Sequence, residues 1–140
     1  GSAASIHARA VRPVDRGKTR WPRDCQASGL LMAGPSGAGF LRGEDVPMAA
    51  GVWVLEGLTD LLAAHLVAHR QEVPAVLFGA AAGGFRGLSK VRWPAPVLRG
   101  DVSVFARTDN DATGDEYAAR IARALQPLGI RVRRAPWETT

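Results

Sequence analysis

The chain has 140 residues, 46% apolar and 22% charged, the size and balance of one globular domain that can bury a core without staples. A single cysteine, Cys25, excludes an internal disulfide and a multi-cysteine zinc site, and the uncharged run Val46–Leu55 falls far short of the ~18 residues of a membrane span. The formal charge of +5 sits in residues 1–43, which hold seven basic groups against two acids, whereas residues 44–140 hold eleven of each.

A basic arm beside a neutral body suits a polyanion, although a solvated basic edge would look the same. Gly1-Ser2 reads as a cloning remnant, which implies a piece of something longer. No charged stretch followed by an apolar one opens the chain, so no secretory leader is expected and the compartment expected is the cytoplasm. Ser5–Val11 (SIHARAV) alternates like a strand, and Lys18–Pro22 (KTRWP) reads as a second short strand stopped by Pro22. Trp21 among these charges suits either base stacking or a core. Gly29–Ala33 (GLLMA) is a third apolar run, closed by the glycines of GPSGAG, and residues 34–50 read as loop.

From Val52 the pattern changes. Val52–Leu55 (VWVL) is continuously apolar, as a strand buried on both faces is. Leu58, Leu61, Leu62 and Leu66 then mark a helix over Gly57–Arg70. Pro74–Gly79 (PAVLFG) is a second buried strand, followed by a Gly-rich connection and a short helix around Phe85–Val91. Asp101–Ala106 (DVSVFA) is the next strand. Thr113-Gly114-Asp115-Glu116 has the form of a capping box, and Tyr117, Ile121, Ala124 and Leu125 give the helix behind it an apolar face. Ile130–Arg133 closes the series as a strand alternating apolar and basic. The order βαβ(α)βαβ predicts an α/β fold, a parallel sheet with helices on both faces, preceded by a small basic β-rich segment.

Functional groups of an open parallel α/β sheet gather just past the carboxyl ends of its strands. Glu56 follows VWVL directly, and Asp60 sits one helical turn later. Asp109 and Asp111 follow DVSVFA in the segment RTDND. Four carboxylates from two separated segments thus converge on one rim, where their repulsion invites a hard divalent cation such as Mg²⁺. Acids at a helix N-terminus are also favoured by the macrodipole, which accounts for Asp60, Asp115 and Glu116 without a ligand. It does not account for Glu56 at a strand end, or for the D-x-D spacing.

V-W-V-L-E-G-L-T-D, a buried strand, Glu-Gly and an Asp four residues after the Glu, resembles the first motif of the TOPRIM domain. V-S-V-F-A-R-T-D-N-D-A-T-G-D resembles its second, a strand followed by D-x-D and a glycine. The resemblance covers about residues 50–136 and implies a Rossmann-like sheet. TOPRIM domains occur in primases, topoisomerases and small nucleases. Residues 5–33 resemble the stretch before TOPRIM in bacterial-type primases and their phage, plasmid and mobile-element relatives, where a basic strand pair leads to a Gly-Leu-apolar strand. The division implied is residues 1–50 as the end of the basic subdomain and residues 51–140 as the TOPRIM domain.

The resemblance implies the catalytic-core fragment of a DNA primase, performing metal-dependent nucleotidyl transfer for primer synthesis in DNA replication. Glu56 would be the catalytic acid, as metal ligand or general acid/base. Asp109 and Asp111 would hold Mg²⁺ or Mn²⁺, with Asp60 assisting. Lys18, Arg20, Arg9 and Arg12 would meet template or nucleotide phosphates. The implied partners are a single-stranded DNA template, nucleoside triphosphates, and a replicative helicase or other domains of the parent protein, with no membrane. The zinc-binding and C-terminal helical portions of such primases have no counterpart in these residues, so the piece is expected to bind metal whether or not it polymerises by itself. The alternatives are a TOPRIM-type nuclease using the same acids and a catalytically inert nucleic-acid-binding module. A topoisomerase is expected least, since Tyr117 belongs to a helix face.

Two further patterns are weaker. Ala33–Leu41 (AGPSGAGFL) nearly spells a phosphate-binding loop, but Phe40 and Leu41 stand where Lys and Ser/Thr are required, so a flexible connection is expected. His65 and His69 lie i, i+4 on one helix, but Leu-Val-Ala between them lacks the metalloprotease glutamate, and they read as surface or helix-end histidines. Cys25 sits in no motif.

Overall fold

The computed structural model describes residues 8–9, 19–20, 31–80 and 85–136. Near the N-terminus β1 (Ala8–Arg9) and β2 (Thr19–Arg20) pair antiparallel, with Ala8 opposite Arg20 and Arg9 opposite Thr19. Both lie inside the two segments expected to be strands, Ser5–Val11 and Lys18–Pro22. Arg12, Lys18, Trp21 and Cys25 lie outside the described residues, as do the side chains of Arg9 and Arg20.

The main sheet has five strands, in the spatial order β3 (Leu31–Ala33), β5 (Val76–Ala80), β4 (Val52–Leu55), β6 (Val104–Ala106) and β7 (Val132–Arg134). The last four are parallel to one another, and β3 runs antiparallel on the edge beside β5. The sheet is therefore mixed and mostly parallel, as an α/β fold with one reversed edge strand.

Alternation along β4 explains its unbroken apolar run, because successive side chains point to opposite faces. Val52 and Val54 join Val76, Phe78, Val104 and Ala106 in one core, closed by Ala118, Ile121 and Leu125 of α4 (Ala112–Leu125). Trp53 and Leu55 join Leu77 in a second core, closed by Leu61, Ala64 and Ala68 of α2 (Leu58–Arg70). A helix thus lies on each face of the sheet. Burying a Val or Leu side chain fully is worth about 1.5–3 kcal/mol, so four consecutive buried residues make β4 the anchor of the sheet.

The segment expected to be a flexible loop, residues 34–50, opens with a helix instead: α1 spans Pro35–Leu41. Proline at the first helical position is already set for the turn. Glycine then lets the helix lie close to the sheet, since a Cβ on Gly37 would come within 2.6 Å of the Leu77 carbonyl oxygen. Phe40 is carried into the first core, edge-on to Phe78 and Trp93 at centroid distances of 6.2 and 6.5 Å. The near match to a phosphate-binding loop is a packing element.

The short helix expected near Phe85 is a 3-10 helix over Phe85–Lys90, and a further single turn, α3 (Ala95–Leu98), follows it. The strand expected over Asp101–Ala106 is shorter, since β6 covers Val104–Ala106, and Asp101 before it pairs with Arg99 at 3.0 Å. Among the described residues no helix is long and apolar enough to cross a membrane.

Candidate functional site

β4 and β6 are parallel neighbours with Val54 opposite Ala106, so their carboxyl ends open on one rim. The Arg107 amide donates to the Val54 carbonyl at 2.9 Å and carries the pairing one residue beyond β6. The chain then turns, and the Asp109 amide donates to Oε1 of Glu56 at 3.0 Å. That bond joins the two acidic turns directly.

Glu56 is half-buried, and burial holds its carboxyl above the usual glutamate value. The Asp109 amide pulls in the other direction, while the charges of Asp109, Asp60 and Asp111 raise it further. Asp60, in the first turn of α2, is also raised, first by burial and then by the charge of Asp109. The four acids named from the sequence therefore share one electrostatic field.

Asp111 has a second task. It caps α4, its Oδ1 accepting from the Gly114 amide at 2.6 Å. This corrects the capping box expected at Thr113. A carboxylate two residues earlier reaches the third helical amide, so the helix begins at Ala112. Glu116 pairs with Arg120 at 2.8 Å instead.

The turn around Asp109 is tied down on every side. Thr108 is buried, and its hydroxyl donates to the Gly114 carbonyl at 2.6 Å. A Cβ on Gly114 would collide with the Asp109 carbonyl oxygen, so only glycine lets turn and helix meet. Arg134 at the end of β7 completes the frame. Its Nη1 donates to the carbonyls of Ala106 at 3.4 Å and Thr108 at 3.0 Å. Its Nη2 donates to the Asp109 carbonyl at 2.7 Å and to Oδ1 of Asp115 at 3.2 Å.

Arg134 was not among the expected site residues. The one trace of it is a break in the alternation of β7, since Arg134 stands two residues past Val132, where an apolar residue is due, and registers with Ala106.

Carboxylate oxygens suit Mg²⁺ or Mn²⁺, so the donor set of Glu56, Asp60, Asp109 and Asp111 fits such an ion by its chemistry. Among the described residues, however, no three His, Cys, Asp or Glu side chains are grouped so that they could hold a metal ion. That holds also for His65 and His69, which line a cleft of about 440 Å³ with Ser36 and Glu72.

The sequence profile of the Toprim-like family matches residues 53–140. No curated protein and no solved structure matches the chain. The matched stretch takes in Glu56, Asp60, Asp109 and Asp111, together with Arg134.

Proposed function

The chain belongs to the Toprim-like family, and from that premise we propose that Glu56, Asp60, Asp109 and Asp111 form a divalent-metal-dependent site for phosphodiester chemistry on nucleic acid. TOPRIM domains are found in primases, nucleases and topoisomerases, and they bind divalent metals. The observation that carries the reading is the bond from the Asp109 amide to the Glu56 carboxylate, which fastens the two acidic turns into one rim.

A bound Mg²⁺ or Mn²⁺ would supply charge neutralisation at the reacting phosphate. Asp109 and Asp111 are the oxygens to hold it, with Asp60 beside them. Glu56 has Oε1 held on the Asp109 amide, which leaves Oε2 to hold the ion or to exchange a proton with the reacting group. Arg134 and Thr108 hold the Asp109 turn in place and need touch no substrate.

The finer reading is a primase core, transferring nucleotides from nucleoside triphosphates onto a primer over single-stranded DNA. It is supported by the β1–β2 pair with Arg9 and Arg20, upstream of the Gly-Leu-apolar strand, as in bacterial-type primases. A second reading, an inert nucleic-acid-binding module, is favoured by two facts: Asp111 commits Oδ1 to its helix, and no three acids are grouped for a metal among the described residues.

The test is to incubate the protein with Mn²⁺ or Mg²⁺, a single-stranded DNA template and labelled nucleoside triphosphates. New labelled oligonucleotides support the primase, whereas shortening of the template supports a nuclease at the same site. Either activity should vanish in Glu56→Gln and Asp109→Asn, and activity that survives both substitutions contradicts the site. DNA binding without turnover and without a metal requirement would leave the inert module.

A further inference from the structure

Parallel sheets are ordinarily covered on both faces. The face bearing Val52, Val54 and Val104 is covered by α1, α3 and α4. On the other face α2 covers β5 and β4, while β6 adds only the half-buried Phe105 to that core and β7 adds no residue to it.

The register gives the side chains of that open face. Trp53, Phe105 and Arg133 are successive partners across β4, β6 and β7 and stand in one row. Exposure grows along it: Trp53 is buried, Phe105 half-buried and Arg133 exposed. One step toward the acidic rim, the Arg107 guanidinium lies 4.3 Å from the centroid of the Trp53 ring. Toward the opposite end, Ser103, Arg131 and Arg133 line a cleft of about 180 Å³ together with Arg99. Arg99 is paired with Asp101 at 3.0 Å, whereas Arg131 and Arg133 are exposed and take part in no ion pair among the described residues.

Cations therefore flank a half-open aromatic ring, over a run of roughly 13 Å from Ser103 to Arg107 at about 3.3 Å per strand residue. We propose that this open face is a track for single-stranded nucleic acid. Arg131 and Arg133 meet its phosphates, Phe105 stacks on one base, and the strand runs from the cleft at Arg99 to the acidic rim at Asp109. Charge complementarity names a polyanion. The half-open ring names an unpaired strand, because a base inside a duplex has no free face to offer it. The choice of nucleic acid as the polyanion rests on the function proposed above.

The experiment is fluorescence anisotropy of a labelled twelve-nucleotide oligothymidylate, and of a duplex of the same length, titrated with the full chain in EDTA. The single strand should bind more tightly than the duplex. Arg131→Ala/Arg133→Ala, at two exposed positions, should weaken it at least tenfold and flatten the salt dependence by roughly 1.4 in log–log slope, for two lost phosphate contacts. Phe105→Leu keeps an apolar side chain and removes only the aromatic face; it should weaken binding about fivefold or more. Unchanged affinity in both variants overturns the proposal. So does tighter or equal binding of the duplex, no binding by the wild type, or a loss seen only on replacing Arg9, Arg12, Lys18 and Arg20. The turnover assay on the same proteins separates the two claims. Metal-dependent turnover with arginine-independent binding refutes the track alone, and arginine-dependent binding without turnover refutes the acidic site alone.

Discussion

The two turns that bring acids to the rim begin alike and are held very differently. After β4 the chain enters α2 through Gly57 with no side-chain cap, and the carboxyls of Glu56 and Asp60 stand raised by burial and by their neighbours' charge. After β6 the chain is lashed by Asp111, Thr108 and Arg134 and fitted against α4 through Gly114. The β6 turn spends its polar groups on position, while the β4 turn keeps its charge strained and available. The rim is thus fixed in place from one side and crowded with like charge on the other, with the Asp109–Glu56 bond as the join.

The contrast can be broken most severely at Gly114. Gly114→Ala sets a methyl against a backbone carbonyl that cannot step aside, and should cost about 3 kcal/mol or more in urea unfolding. A loss below about 1 kcal/mol would show that the β6 turn yields. Arg134→Ala should cost roughly 2–3 kcal/mol, because it strands the carbonyls of Thr108 and Asp109. Arg134→Lys should recover less than half of that, since one ammonium cannot span the positions the planar fork reaches. Asp111→Ala removes a helix cap and should cost about 1 kcal/mol, whereas Asp111→Asn keeps an acceptor and should cost a few tenths.

On the β4 side the sign reverses. Glu56 has a higher pKa folded than unfolded, so its contribution is favourable below the ordinary glutamate range and is lost as pH rises through the raised value. Glu56→Gln should therefore stabilise the protein at neutral pH, by at most about 1 kcal/mol after solvent screening, and the gain should fade as pH drops below the ordinary glutamate value. Thermal unfolding of wild type and variant at pH 4 and pH 7.5 reads this directly. A difference between wild type and variant that is the same at both values would remove the strain from Glu56.

What could be read from the sequence divides along physical lines. β4 was plain because four consecutive apolar residues admit little but a doubly buried strand. Glu56, Asp109 and the rim they share followed from strand ends alone. The capping box failed because Thr113 and Glu116 satisfy the pattern formally, while the longer reach of Asp111 decides the helix start. α1 was hidden because its glycines and proline have the composition of a loop, although they are what allows it to pack against β5. The reversed edge strand β3 could not be foreseen, since three apolar residues carry no direction. Arg134 needed the register of β7, which a three-residue strand does not announce.

The most direct test of the acidic rim is calorimetric titration of Mn²⁺ into the wild type, beside Asp109→Asn and Glu56→Gln, at neutral pH. The expected result is saturable binding in the wild type, lost in Asp109→Asn and weakened in Glu56→Gln, with both variants folded. Undiminished binding in Asp109→Asn, or none in the wild type, would contradict the rim as a metal site.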